Sequence, residues 1–217
     1  MQDLTEKVFQ LSPPGGLFDE TVIRNLFPDR SEGARKVLVY RAVSKCEINR
    51  LKPGLFLLAE AFRKSHPHPF VIAGMLHSPS HVSLESALSY HGLIPEALFQ
   101  VSCVTSARSR SFKTPVGVFS FQRVPLNSPK AGVESLKIDK NSWAFIATPL
   151  RAIADLVYLR RAVTWKRDGL SFLTESMRIE IEDLRNMSLK GIDELCESFR
   201  NKRTIDYIKK LVKELGE

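Results

Sequence analysis

Apolar residues recur at helical spacing in short segments near the amino terminus. The first segment carries Leu4, Val8 and Leu11 and is followed by Pro-Pro-Gly-Gly at residues 13–16, which breaks helices. The second begins after Asp19, whose carboxylate suits a helix N-cap, and ends before Pro28. These two patterns predict two short helices.

A third helix is predicted from Ser31, which suits an N-cap, to about Lys45. The periodicity assigns one side of this helix, facing the core, to Ala34, Leu38, Arg41 and Ala42. We expect Arg35, Lys36 and Tyr40 to lie largely on another side, and Arg35 to be exposed to solvent.

Two short apolar segments follow, residues 48–51 and 55–58, separated by Lys52-Pro53-Gly54. Proline followed by glycine suits the central positions of a type II turn, where the second residue takes a positive φ. This predicts a small hairpin. Because three helices and a hairpin within about sixty residues are the plan of a winged helix-turn-helix, we interpret residues 1–60 as such a domain.

The rest of the chain mixes helical and strand patterns beyond a linker at residues 60–69. We predict helices over residues 70–76 and 83–90, the second ended by Gly92, and a helix from Thr148-Pro149 to Arg161. Strands are predicted over 98–105, 117–124 and 143–147, with the basic stretch 108–113 as a loop between the first two. Three amphipathic helices end the chain. The predicted fold class is α+β: a winged helix-turn-helix, then a mixed α/β carboxy-terminal domain over 70–217 with a helical extension.

Composition narrows the class of protein. With 43% hydrophobic and 26% charged residues the chain has the balance of a globular protein. Its apolar runs are too short to span a bilayer and its first residues do not form a secretory signal, so we expect a cytoplasmic protein without membrane contact. Three scattered cysteines and five histidines have no zinc-ligand spacing, so we expect neither a metal nor any other cofactor.

The net charge of +8 favours nucleic acid as a partner. The excess is concentrated in residues 61–130, which hold seven Lys or Arg and two Asp or Glu. Candidate DNA contacts lie on the third helix, on the hairpin and in the basic stretch: Ser31, Arg35, Lys36 and Tyr40; Arg50 and Lys52; Arg108, Arg110 and Lys113. For each group the alternative is an ordinary solvated surface.

The carboxylates offer a second class of function. Glu134, Lys137 and Asp139 faintly resemble a nuclease site, but their spacing does not give the carboxylate-x-Lys pairing on one face of a strand. Since the sequence also has no glycine-rich phosphate loop and no nucleophile motif, we expect no catalytic residues. Two alternatives to a DNA-binding protein stay open: a metal-dependent nucleic-acid enzyme with its site in the carboxy-terminal domain, and a protein-interaction module.

One central segment, HVSLESALSYHGLIPE at residues 81–96, resembles the AbiEi family of antitoxins and transcriptional regulators. Residues 104–124 and 146–159 are similar to family segments in the same order, and INRLKPGLFLL at 48–58 looks like the family's wing. The resemblance covers roughly residues 15–160. Cys46 departs from the pattern, since relatives often place a glycine before the wing.

The resemblance implies an amino-terminal winged helix that binds operator DNA, so that the protein acts as a sequence-specific transcriptional repressor. It also implies a role as antitoxin in a type IV toxin–antitoxin system. The implied functional partner is an operon-encoded, nucleotidyltransferase-like toxin, which the antitoxin counters without needing a stable complex. The resemblance does not indicate an oligomeric state.

Overall fold

The computed structural model describes residues 1–95 and 100–216 and has the predicted α+β class. Its amino-terminal part contains three helices and three strands: α1 (Asp3–Leu11), β1 (Leu17–Asp19), α2 (Glu20–Leu26), α3 (Glu32–Ser44), β2 (Ile48–Lys52) and β3 (Leu55–Leu58). The strands form an antiparallel sheet in the order β1-β3-β2. The three predicted helices and the hairpin are therefore present, and β1 is an element that the sequence analysis missed.

Local signals in the sequence explain where these elements begin and turn. Asp19 Oδ1 accepts from the backbone N–H groups of Thr21 (2.9 Å) and Val22 (3.1 Å), and Ser31 Oγ accepts from Ala34 N (3.2 Å). Between β2 and β3, Gly54 has a φ of 80°, as the predicted turn requires. Both predicted caps and the turn glycine are confirmed.

The orientation of α3 differs from the prediction at one residue. Leu38, Val39 and Ala42 are buried in a core that they share with α1, α2 and the hairpin, whereas Arg41 is exposed. The assignment of Arg41 to the buried side was wrong. Successive helical residues are about 100° apart, so Arg41 lies nearly opposite Val39 on the helix. A helix that buries Val39 therefore exposes Arg41.

The next part of the chain contains a second sheet, of six strands. Its elements, with the two helices of this part, are α4 (Pro69–Leu76), β4 (Ser80–Val82), α5 (Leu84–Tyr90), β5 (Gln100–Thr105), β6 (Arg110–Thr114), β7 (Gly117–Arg123), β8 (Val133–Lys137) and β9 (Trp143–Ala147). The strands lie in the order β6-β7-β5-β4-β9-β8. The predicted strands over 98–105, 117–124 and 143–147 correspond to β5, β7 and β9. Residues 98–99 of the first lie outside the described residues, as does residue 96 of the AbiEi-like segment.

The basic stretch was predicted wrongly as a loop. Arg110 to Thr114 form β6, an edge strand that pairs antiparallel with β7, while β5 and β7 are parallel. The segment therefore does not close a hairpin between β5 and β7. Its single large apolar residue, Phe112, packs against Phe121, and one such residue in a polar stretch is too weak a pattern to predict a strand.

The last third of the chain is helical. It contains α6 (Pro149–Leu159), α7 (Trp165–Asp168), a π-helical turn at Phe172–Ser176, α8 (Ile181–Asn186), α9 (Ile192–Ser198) and α10 (Lys202–Leu215). Thr148 Oγ1 caps α6 by accepting from Arg151 N, as predicted, and the three amphipathic helices are confirmed. Within the part of the chain that the structure describes, no helix has the length and apolar character needed to cross a membrane.

The two sheets share buried surface. Leu17, Leu51, Leu55 and Leu57 of the amino-terminal sheet belong to the larger core, which also contains α4 to α6 and the second sheet. Strand β2 lies beside β6, and Lys52 contacts the end of α4. The division into domains at residues 1–60 and 70–217 stays a prediction.

Candidate nucleic-acid interface and a buried polar cleft

One side of α3 is open to solvent along its whole length. Its members are spaced three and four residues apart, which places them on one helical face: Gly33, Lys36, Val37, Tyr40, Arg41 and Ser44. Tyr40 is 70% exposed. We call these six residues the α3 face. It offers a guanidinium, an ammonium and a phenol at one surface, which are groups that can donate hydrogen bonds to base edges or phosphates.

Lys36 is on this face and is paired with Glu32, whose Oε1 lies 2.5 Å from Lys36 Nζ. The hydrogen bond and the charge of Glu32 raise the pKa of Lys36. Both side chains are largely exposed, so the pair holds the ammonium only loosely. Arg41 forms no ion pair with any of the described residues.

Ser31 and Arg35, two of the candidate DNA contacts, both make hydrogen bonds within the protein. The Ser31 hydroxyl is occupied as the N-cap of α3. Arg35 is half-buried, and its Nη1 donates to the main-chain oxygens of Phe27 (3.4 Å) and Arg30. The expectation that Arg35 is exposed was wrong. The turn between α2 and α3 leaves carbonyl groups without helical partners, and the guanidinium satisfies two of them.

The two hairpin cations lie on opposite faces of the hairpin. Arg50 is exposed, and its guanidinium carbon lies 5.8 Å from the ring centre of Phe56 in the amino-terminal core. Lys52 is half-buried on the other face, where Nζ donates to the main-chain oxygen of Leu76 at 2.9 Å. Burial and the nearby charge of Arg110 lower the pKa of Lys52. A register shift between residues 50 and 52 breaks the alternation that would place both on one face.

Arg108, Arg110 and Lys113 are all exposed, but they do not form one cluster. Arg110 and Lys113 are three residues apart on β6, so they lie on opposite faces of the strand. Arg108 precedes the strand, and its main-chain oxygen accepts from His77 Nε2 at 3.0 Å. Arg110 lies near enough to Lys52 of the hairpin for its charge to lower the pKa of Lys52.

The structure places the candidate nuclease residues on strand β8 and in the turn that follows it. Glu134 and Lys137 are exposed on β8, and Lys137 Nζ lies 5.7 Å from the centre of the Trp143 ring. Asp139 Oδ1 accepts from Asn141 N at 2.8 Å, and backbone and side-chain hydrogen bonds of this turn lower the pKa of Asp139. Among the described residues, no group of three or more His, Cys, Asp or Glu side chains could hold a metal ion.

The sequence analysis missed a cleft of about 790 Å³ in the carboxy-terminal part of the chain. Val104, Val133 and Phe145 contribute apolar walls, and Lys130 lies among the lining residues. Arg151, which is 1% exposed, and His81, whose side chain is 9% exposed, also line the cleft. We call it the Arg151 cleft.

A buried ionic network lies behind this cleft. Arg151 Nε lies 3.0 Å from both carboxylate oxygens of Asp155, and Ser83 Oγ donates to Asp155 Oδ2 at 2.7 Å. Burial alone would raise the pKa of Asp155, but the charge of Arg151, helped by His81 and Ser83, outweighs it and lowers the pKa. The carboxylate is therefore held in its charged form.

His81 completes the network without a hydrogen bond from its Nε2. That atom lies 3.7 Å from Asp155 Oδ2, beyond hydrogen-bonding distance, and has no partner among the described residues. Burial lowers the pKa of His81 more strongly than Asp155 raises it. The sequence did carry a signal for this network, since Arg151 and Asp155 are four residues apart in the otherwise apolar first half of α6.

No protein-family model matches the chain, and a search of curated proteins finds no significant match. The likeness to the AbiEi family therefore depends on the sequence segments quoted above.

Proposed function

We propose that residues 1–60 form a winged helix-turn-helix that binds duplex DNA through the α3 face, and that the protein is a sequence-specific transcriptional repressor. The observation that carries this proposal is the α3 face itself, on which Lys36, Tyr40 and Arg41 are exposed. A helix that presents such donors can enter the major groove and contact base edges.

The surrounding elements support the same proposal. The order α1-β1-α2-α3-β2-β3 and the sheet β1-β3-β2 agree with a winged helix, in which α3 would be the recognition helix. Arg50 is exposed on the hairpin, on the same sheet face that packs against α3, and is available to a phosphate. The free guanidinium of Arg41 suits the paired acceptors of a guanine.

A binding titration on the protein's own promoter DNA and on unrelated DNA tests this proposal. Arg41→Ala removes a base-edge donor, so we expect it to weaken promoter binding by about 1–3 kcal/mol and to reduce the preference for promoter DNA. Arg185→Ala, at an exposed position of α8, is the matched control and should bind as the wild type does. If Arg41→Ala leaves both affinity and preference unchanged, the α3 face does not bind DNA.

We further propose that the protein acts in the cytoplasm as the antitoxin of an adjacent, nucleotidyltransferase-like toxin. This proposal is supported by the AbiEi-like segments at residues 81–96, 104–124 and 146–159. Expressing the protein from an unlinked promoter separates this role from repression. Cells that express the toxin should then regain growth with the wild type and also with Arg41→Ala, and a failure of the wild type would contradict the antitoxin role.

A further inference from the structure

The Arg151 guanidinium has more donors than the protein uses. It carries five N–H groups in a rigid plane. Nε faces Asp155, and Nη1 donates to the main-chain oxygens of Pro129 (3.3 Å) and Ala131 (2.6 Å). Nη2 has no acceptor among the described residues, and it is not one of the buried atoms that lack a partner, so it is open to the cleft although the residue is only 1% exposed. A charged donor that is open to a cleft and has no protein partner is available to an anionic ligand.

The groups around Arg151 indicate which kind of ligand would supply an acceptor. Arg151 lines the cleft, and so do the ammonium-bearing Lys130 and the hydroxyl-bearing Ser106 and Ser135. His81, with a side chain 9% exposed and no partner for Nε2, lines the same space. Glu194 is the one carboxylate among the described lining residues. Donor groups thus outnumber fixed negative charges around this cavity.

The size and walls of the cleft restrict the ligand further. A volume of about 790 Å³ is within the range of small-molecule sites. Val104, Val133 and Phe145 provide an apolar surface, and Phe145 is exposed although it is a large hydrophobic residue. A bare inorganic ion would leave these walls uncovered.

We propose that the Arg151 cleft binds a small organic anion, in which a carboxylate or a phosphate is joined to an apolar or ring-shaped body. The anionic group accepts from Nη2 of Arg151 and is attracted by Lys130, and the body lies against Val133 and Phe145. Arg151 keeps Asp155 on its Nε side, so the guanidinium bridges two anionic groups. This site is independent of the α3 face, and the proposal does not depend on DNA binding.

Titrating the full chain with benzoate and with phenyl phosphate tests this site, with benzyl alcohol as the neutral probe of similar shape. We expect saturable binding of at least one anion at about 1 mM or below, and a shift of the Arg151 Nε–H signal in NMR spectra. Which anion binds tells whether the ligand chemistry is a carboxylate or a phosphate. The proposal is overturned if neither anion binds, or if benzyl alcohol binds as tightly.

Two pairs of exposed variants locate the binding without disturbing the buried network. Ser135→Trp fills the cleft and should weaken anion binding by about tenfold or more, whereas Glu134→Trp, on the other face of β8, should not. Lys130→Ala should weaken binding by about threefold to tenfold, and Lys140→Ala should leave it unchanged. Equal affinities within both pairs would place the anion elsewhere and overturn the proposal.

Discussion

The ammonium of Lys52 donates to the main-chain oxygen of Leu76, 2.9 Å away, and so fastens the turn end of the β2–β3 hairpin to the carboxyl end of α4. The last carbonyl groups of a helix have no partner within the helix and carry partial negative charge. Burial and Arg110 lower the pKa of Lys52, so this carbonyl is the interaction that offsets an unfavourable site for the ammonium. A residue that the sequence suggested as a phosphate contact thus has a structural role.

Removing this contact should be measurable as a loss of stability. Lys52→Ala deletes the bond and leaves the Leu76 oxygen unsatisfied, so we expect the free energy of unfolding to fall by about 1 kcal/mol. Lys113→Ala, on an exposed position of β6, should change it by about 0.5 kcal/mol or less. Urea denaturation of both variants checks this, and equal stabilities would mean that the Lys52 contact contributes nothing.

Arg35 and Lys36 are adjacent in sequence, but substitution of Arg35 should cost much more stability than substitution of Lys36. Arg35→Ala removes two bonds to the α2–α3 turn, so we expect a loss of about 1–2 kcal/mol in the free energy of unfolding. Lys36→Ala removes only an exposed ion pair and should cost about 0.5 kcal/mol or less. Urea denaturation of both variants at the same pH gives the two free energies of unfolding. If Arg35→Ala is as stable as Lys36→Ala, the guanidinium does not hold the turn.

These residues show which structural features could be predicted from the sequence and which could not. Caps and turn residues act within three or four positions of the chain, so Asp19, Ser31 and Gly54 could be assigned correctly from sequence. The contacts of the Arg35 side chain depend on the path of the turn before it, and those of Lys52 depend on a helix whose contacting residue lies 24 positions away in sequence. No local pattern contains such information.

The Arg151 cleft could not be predicted from the sequence for a related reason. Its lining comes from separate segments, including residues 78–81, 104–106 and 128–135, which only the sheet order β5-β4-β9-β8 brings together. Parallel pairing of β5 with β7 was equally hidden, because the intervening edge strand β6 looks like a polar loop in the sequence.

Cys46 has a backbone conformation that favours glycine. Its φ is 54°, in the left-handed region, and its side chain is exposed. Relieving this strain should outweigh the greater freedom of glycine in the unfolded chain, so Cys46→Gly should raise the free energy of unfolding by about 0.5–1 kcal/mol. Cys46→Ala keeps the Cβ atom and is the control for removal of the thiol. Thermal unfolding of both variants under reducing conditions tests this prediction. Equal gains in stability from both variants would exclude backbone strain as the cause.

The Arg151–Asp155 pair should respond to substitution as a buried charge pair. Asp155→Ala leaves the guanidinium without its counter-charge in the core, so we expect a loss of about 3–5 kcal/mol in the free energy of unfolding. Asp206→Ala breaks a pair of the same i,i+4 spacing on the exposed side of α10 and should cost about 0.5 kcal/mol or less. Urea denaturation of both variants measures the difference. If Asp155→Ala costs no more stability than Asp206→Ala, the Arg151–Asp155 pair does not behave as a buried charge pair.

His81 should make stability depend on pH between neutrality and mild acid. Burial lowers the pKa of His81 in the folded protein below its ordinary value of 6.5, against the opposing influence of Asp155. Between the folded and unfolded pKa values the unfolded chain binds more protons, so acid favours unfolding. The contribution of His81 is fully present above pH 6.5 and is lost as the pH falls towards the folded pKa. Asp155 stays ionised in this range because its pKa is also lowered.

The substitution His81→Gln removes this titration while keeping a polar side chain of similar length. We expect the wild type to lose more stability than His81→Gln when the pH is lowered from 8 to 5 in steps of about one unit. Because burial also lowers the pKa of His68, part of the acid sensitivity should remain in the variant. Denaturation curves of both proteins across this range give the difference at each pH. A wild type that gains stability relative to the variant on acidification would mean that Asp155 raises the pKa of His81 more than burial lowers it.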